Sequence, residues 1–268
     1  MVKLEHLKKH FKKVEVLRDV SLTIEKGETM VIIGRSGVGK SVILKHIMGL
    51  LQPDGGRVLV EGEEISSPNQ VDLYRIRKKL SMLFQGSALF DSMTVGDNIA
   101  FALREHTDLS EAEIQRIVAD KLELVGLRGI EHKMPAELSG GMKKRVGLAR
   151  AIAMEPQVIL YDEPTTGLDP ITADTINDLI LDMQQKLKVT SIVVTHDMVS
   201  AYKVGDRIAM IHDWIIIFTG TGNELKASRD PRVQQFIRGQ RKLMYEGLIG
   251  TQEEQTKYQE KFNISDIQ

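Results

Sequence analysis

The residues with the most chemistry to offer begin at Gly34-Arg35-Ser36-Gly37-Val38-Gly39-Lys40-Ser41, which fits the spacing G-x-x-x-x-G-K-[ST]. The stretch follows the strand-like run Met30-Val31-Ile32-Ile33. It opens a helical pattern with Val42, Ile43, Ile47 and Met48 apolar, so motif and context agree. Gly34, Gly37 and Gly39 let the backbone turn its N–H groups toward one anionic centre, and the helix that follows adds roughly +0.5 of an elementary charge at its start. Polyphosphate is the expected guest. Lys40 would act as a point charge on the outer phosphates, and the Ser41 hydroxyl would help hold the magnesium that bridges them. A glycine-rich turn with no ligand is the plainer alternative, and the register of strand, loop and helix argues against it.

Val158-Ile159-Leu160-Tyr161 is an apolar strand that ends in two acids, Asp162 and Glu163. Consecutive strand residues point to opposite faces, so the two carboxylates are expected to do different work. Asp162 would sit in the magnesium shell, and Glu163 would polarise the water that attacks the γ-phosphate. An acidic turn before Pro164 is the competing possibility. Ser191 to Thr195 is another buried-type strand, closed by His196, and a lone histidine is more often a satisfied polar residue than a catalyst. Gln85 ends the apolar strand Leu80 to Phe84 and is either a solvated loop amide or a group that approaches the metal and the attacking water. Leu138-Ser139-Gly140-Gly141-Met142 precedes a helix with Val146, Ala149, Ile152 and Ala153 on its apolar side. Ser139 there is a simple N-cap or, with the two glycines, a second set of donors for phosphate. Ligands of open parallel sheets sit at the carboxyl ends of strands, which brings the phosphate loop, the acid pair and His196 to one edge.

The elements that must position these groups imply an α/β fold. Upstream, Val14 to Leu17 and Val20 to Ile24 read as two short strands closed by the turn Lys26-Gly27-Glu28. Phe11 lies just before them, either as core or as a platform for a nucleotide base. Pro53-Asp54-Gly55-Gly56 is a turn feeding the strand Arg57 to Val60, which is scaffold. Ser110-Glu111-Ala112-Glu113 is a capping box, and Ile114, Ile117, Val118 and Leu122 give a helical face running to Gly126. A helical subdomain at about 86–155 is therefore expected to interrupt the sheet. Asp169-Pro170 caps a helix with the face Ile176, Leu179, Ile180, Met183 and Leu187. Asp230-Pro231 starts a short helix carrying Val233, Phe236 and Ile237, and Leu243, Met244, Leu248 and Ile249 form another apolar cluster before a polar tail from Thr251. The domain expectation is 1–225 for the main unit and 226–268 for a C-terminal helical extension. The apolar cluster of that extension must be buried on its own domain or on a second subunit.

Composition sets the outer bounds. With 268 residues, 42% apolar and 27% charged, the chain can build a core without a disulfide or metal staple. It has no cysteine, which excludes thiol chemistry and Cys-ligated metal. A net charge of −1 gives no global field for nucleic acid, so no nucleic-acid partner is expected. No apolar run approaches the roughly 18 to 20 residues that cross a bilayer, and Met1 to Lys13 lacks the apolar core of a secretory signal. The expected compartment is the cytoplasm.

The order of Phe11, the Gly34 to Ser41 loop, Gln85, Leu138 to Met142, Asp162-Glu163, Gly167-Leu168-Asp169 and His196 resembles the ATP-binding cassette (ABC) ATPases over about residues 1–225. The resemblance implies a P-loop NTPase fold with a mostly parallel core sheet, antiparallel N-terminal strands and a helical subdomain. It also implies a homodimeric ATPase that uses ATP and Mg²⁺. By that resemblance Phe11 stacks on adenine, and Gly34, Arg35, Ser36, Gly37, Val38, Gly39, Lys40, Ser41 and Val42 surround the phosphates. Ser41, Gln85 and Asp162 surround the metal, Glu163 is the catalytic base and His196 senses the γ-phosphate. Ser139, Gly140 and Gly141 contact the γ-phosphate bound by the opposite subunit. Gln85 couples the site to an integral-membrane permease, and Asp169 belongs to a loop that communicates across the dimer. The chain departs from the family pattern at Met142 (usually glutamine), Val42 (usually threonine) and Asp213-Trp214 (commonly Asp-Gly). Of these Met142 lies on the signature surface, and it leaves Ser139 and both glycines in place.

Ser81 to Phe90, Leu103 to Thr107, Met134 to Met142 and Asp230 to Val233 carry a narrower resemblance, to the ATPase subunits of Mla (Mce-associated) lipid transporters. It implies a permease and an Mce-type lipid-binding protein as partners, phospholipid as cargo, and a peripheral position on the cytoplasmic side of the inner membrane. An importer or exporter of another solute is the alternative within the family. A chromosome-structure or DNA-repair cassette would insert a long heptad coiled coil within 42–137, where none is found. A translation-associated cassette protein would carry each motif twice, and a kinase of small acceptors would not need Leu138 to Met142.

Overall fold

The computed structural model describes residues 1–66 and 73–248, with side chains described as far as Gly239. The chain begins with β1 (Val2–Phe11), β2 (Val14–Ile24) and β3 (Thr29–Ile33), then α1 (Lys40–Ile47), β4 (Gly55–Val60), β5 (Glu63–Glu64), α2 (Leu73–Arg77) and β6 (Leu80–Leu83). Three helices follow, α3 (Val95–His106), α4 (Glu111–Leu124) and α5 (Gly140–Ile152). Strands and helices then alternate as β7 (Val158–Asp162), α6 (Pro170–Leu187), β8 (Thr190–Thr195), α7 (Met198–Val204), β9 (Arg207–His212) and β10 (Ile215–Gly220), before α8 (Gly222–Ala227) and α9 (Pro231–Leu248). The chain divides into two compact units, one spanning Met1–Gly222 and one beginning at Asn223.

The ten strands of the described residues join one sheet in the order β5-β4-β1-β2-β10-β9-β3-β8-β7-β6. From β9 to β6 every neighbouring pair is parallel, whereas β5, β4, β1 and β2 pair antiparallel. β3, β7 and β8 are buried along their whole lengths, the pattern of strands covered on both faces. The expected α/β architecture, with a parallel core and antiparallel N-terminal strands, is the one observed.

The N-terminal part adds one strand and corrects one expectation. Val2–Phe11 is itself a strand, and the two short strands expected between Val14 and Ile24 are one. A backbone irregularity at His6 (φ 51°) sets Leu4 and Leu7 on the same buried face although they are three residues apart. Leu17 and Val20 across the pair repeat that spacing, so the period of two on which strand detection rests is broken in both strands at once. The turn at Asp213-Trp214 joins β9 to β10 with both residues at positive φ (46° and 66°), as a two-residue hairpin requires and as glycine would adopt without strain.

Between β6 and β7, α4 and α5 start where the sequence says, whereas α3, capped by Thr94, was not expected. Ser110 accepts from the Glu113 N–H and the Glu113 side chain returns to Ser110, completing the capping box of α4. Ile114, Val118 and Leu122 are buried below it. In the second unit the helix after Asp230-Pro231 is not short, because it runs to Leu248. The side chains of Leu243, Met244 and Leu248, together with Ile249 and the tail from Thr251, lie outside the described residues.

Candidate active site

Register alone assembles the site. In the parallel half Ile33 pairs with Thr195, Val194 with Asp162 and Tyr161 with Leu83, so β3, β8, β7 and β6 end at nearly the same level. Gly34, His196, Glu163 and Gln85 therefore leave the sheet along one edge, as ligand sites of parallel sheets require.

The loop after β3 is shaped by close approach. A Cβ on Gly34 would stand 2.6 Å from the Ile211 carbonyl oxygen, and one on Gly39 (φ 101°) 2.6 Å from that of Val16. α1 starts at Lys40 with no side-chain cap, so no side chain occupies its first-turn N–H groups, although that of Val42 bonds the Gly39 carbonyl at 3.1 Å. Lys40 is 6% exposed, donates to the carbonyls of Gly34 (2.9 Å) and Arg35 (3.1 Å), and lies 3.7 Å from Glu163 Oε1. Burial pushes its ammonium below the usual lysine range, and the Glu163 carboxylate opposes that shift. The Ser41 hydroxyl donates to Asp162 Oδ1 at 2.8 Å.

Glu163 is not the last residue of its strand in the ordinary sense. Its φ is 49°, and its N–H still bonds the Val194 carbonyl at 2.9 Å. This left-handed turn replaces the alternation expected of consecutive strand residues, and both carboxylates face the phosphate-loop side: Asp162 toward Ser41, Glu163 toward Lys40. Glu163 Oε2 also meets His196 Nδ1 at 2.8 Å and accepts from the Thr166 hydroxyl at 3.0 Å. These groups border a cleft of about 400 Å³ lined by Val16, Ser36, Gly37, Gly39, Lys40, Ser41, Val42, Gln85, Glu163 and His196.

Gly34, Arg35 and Val38 complete the loop around that cleft, and Asp162 lies behind Ser41. Five other candidates stand apart from the lining. Phe11 ends β1 at 43% exposure with the Lys9 ammonium 5.7 Å from its ring, so the possibility that it is core is excluded. Ser139 caps α5 through the Met142 N–H at 3.3 Å, and both Ser139 and Gly140 are exposed while Gly141 is buried. Asp169 is an exposed cap of α6, accepting from the N–H groups of Ile171 and Thr172.

Sequence patterns did not single out Val16, Thr166 or Lys144. Lys144 donates to the carbonyl of Gln85 and, at 3.3 Å, to that of Glu163. The available signal was its place in the buried stripe Gly141, Lys144, Leu148 and Ala151, where a cation needs a reason.

Among the described residues no group of three or more histidines and acids could hold a metal by itself. The Ser41 hydroxyl and Asp162 carboxylate are hard oxygen donors beside an open glycine loop, which fits Mg²⁺ shared with phosphate oxygens.

The ABC transporter family model matches residues 17–166. The intermembrane phospholipid transport system ATP-binding protein MlaF of Haemophilus influenzae is 46% identical over 222 residues, covering 83% of this chain and 84% of that protein. The probable ribonucleotide transport ATP-binding protein mkl of Mycobacterium leprae is 44% identical over 253 residues, covering 94% of this chain and 72% of that protein. Among solved structures, the dimeric ATP-binding cassette MJ0796 in a post-hydrolysis state bound to ADP and Pi superposes with a TM-score of 0.77 at 31% identity, over 82% of this chain and 98% of that one. The cbiO1 protein of Clostridium perfringens, part of the ABC transporter complex cbiONQ, gives 0.77 at 30% identity over 88% and 98%. The chain belongs to the ABC transporter family, as an ATP-binding subunit with ATPase chemistry.

Proposed function

We propose that this chain powers the movement of phospholipid between inner and outer membranes by hydrolysing ATP, as the nucleotide-binding homodimer of an Mla-type transporter. The observation that carries the chemistry is the convergence of Lys40, Ser41, Glu163 and His196 on one cleft, with Asp162 bonded to Ser41 behind it. Lys40 and the Gly34 to Val42 loop bind the outer phosphates. Bound Mg²⁺, held by Ser41 and Asp162 with Gln85 alongside, supplies neutralisation of the phosphate charge. Glu163 takes the proton of the attacking water, and His196 orients that carboxylate before meeting the γ-phosphate. Phe11, exposed beyond the loop, is available to stack on adenine. Ser139 and Gly140, exposed and away from their own cleft, suit contact with nucleotide on a second copy, with Asp169 nearby in the dimer contact.

Among the described residues no helix is long and apolar enough to cross a membrane, so transport is assigned to a separate permease, with this chain peripheral on the cytoplasmic side. Within the 86–101 stretch Val95 and Ile99 are core, whereas Phe90 and Phe101 are 42% and 38% exposed with ring centroids 5.1 Å apart. That pair is the proposed docking surface. The second reading, ribonucleotide transport, is favoured by the mkl relatives, whose match extends over 94% of this chain. Reconstitution with the permease and an Mce-type protein tests both. ATP-dependent transfer of phospholipid between vesicles is expected, and Phe90→Glu with Phe101→Glu should abolish assembly while ATP binding survives. Ribonucleotide uptake with no lipid transfer would overturn the lipid reading and leave the ATPase assignment standing.

A further inference from the structure

Lys144 is 5% exposed and lies four residues into α5, yet its ammonium is spent on main-chain oxygens outside the helix. One is the Gln85 carbonyl at the end of β6, and the other is the Glu163 carbonyl at 3.3 Å. A buried ammonium is costly unless it is paired, and a leucine would fill the same stripe without that cost. The carboxylates of Asp162 and Glu163 offset the desolvation that lowers its proton affinity. What the cation gains in return is contact with two segments that leave adjacent strands.

Both segments are conformationally demanding. Glu163 sits at φ 49°, and its carbonyl, turned out of the strand ladder, accepts from Lys144 and from the Thr166 N–H at 3.3 Å. Such a backbone state is strained and persists only where its surroundings over-determine it. Beyond Gln85, Ser87 and Ala88 are also left-handed (φ 61° and 47°), and their carbonyls accept from Arg150 at 2.8 Å each. Gly147 lets the helix come close: a Cβ there would stand 2.9 Å from Leu83 Cδ1 and 3.3 Å from Ser87 Cβ. Lys144, Gly147 and Arg150 thus bind one edge of α5 to the Gln85 loop, and Lys144 alone of the three also reaches Glu163.

We propose that Lys144 is a positioning residue for hydrolysis, tying the helix that begins at Ser139 to the main chain of both Gln85 and Glu163. A shift of α5 against the parallel sheet then moves the Glu163 backbone and with it the carboxylate. This rests on Glu163 being the base. A merely structural lysine would affect melting and leave turnover of the folded protein alone, so kcat and KM must be separated.

The test compares Lys144→Met, which keeps length and loses all donors, with Lys144→Arg, which keeps donors, and with Glu163→Gln as control. Each is measured for thermal midpoint, ATP affinity and steady-state hydrolysis in the full chain. The Met variant is expected to lose about tenfold in kcat with ATP affinity within about twofold of the parent, and the Arg variant to recover most of that loss. A folded Met variant with parent kcat overturns the proposal, as does an Arg variant no faster than Met. Should Met fail to fold, Lys144→Leu, which also lacks donors, takes its place with the same two outcomes. Parent-level hydrolysis by Glu163→Gln would instead remove the base assignment itself, whatever Lys144 does.

Discussion

α1, after Gly34 to Gly39, and α5, at Ser139-Gly140-Gly141, both begin in glycine-rich sequence, and the fold treats them in opposite ways. α1 has no side-chain cap, and beside it lie Lys40, Asp162 and Glu163, all at least nine-tenths buried. α5 caps itself with Ser139 and leaves Ser139 and Gly140 exposed. The glycines also differ in purpose. Gly39 is required where the Val16 carbonyl approaches at positive φ, whereas Gly141 is required because a Cβ would stand 2.5 Å from the Thr172 methyl of α6. Similar local sequences therefore give one anion site furnished with buried charges and one exposed surface whose nearest buried charge, Lys144, turns back to the main chain of Gln85 and Glu163, and what lies alongside each helix decides the outcome.

The comparison can be broken in order of effect. Glu163→Gln removes the base from the furnished end while preserving its shape; hydrolysis should fall by about 10² to 10⁴ with ATP binding retained, and equal turnover rates would refute the assignment. Lys40→Ala acts at the same end but on binding. Loss of a charge-assisted contact should weaken ATP affinity by about 10- to 100-fold in titration, and unchanged affinity would contradict its role. Ser139→Ala, at the exposed end, should leave ATP affinity of the single chain as it was. It should lower unfolding stability by about 1 kcal/mol through the lost cap, and a larger loss of affinity than of stability would erase the distinction between the two helices.

Much of the furnished end was legible in sequence because its groups terminate continuous apolar strands, and strand register carries Gly34, His196 and Glu163 to one level. The separate jobs of Asp162 and Glu163 were inferred from strand alternation, yet the structure achieves their placement by a left-handed residue, which no periodicity reveals. β1 escaped because Leu4 and Leu7 straddle an irregularity at His6. Lys144 escaped because its partners are carbonyls, and main-chain acceptors leave no mark in residue type. Phe11 could be read as core or platform until its exposure was known, since an aromatic type is common to both.

If the exposed helix start is completed by a second copy, each cleft of a homodimer combines Lys40 of one chain with Ser139 of the other. Mixing Lys40→Ala chains with Ser139→Ala chains tests this most directly, because in the heterodimer both lesions fall in one composite site and the other is intact. The account predicts hydrolysis in the mixture at part of the parent level while each variant alone is inactive. A mixture that is fully inactive, with heterodimers demonstrated to form, would contradict it.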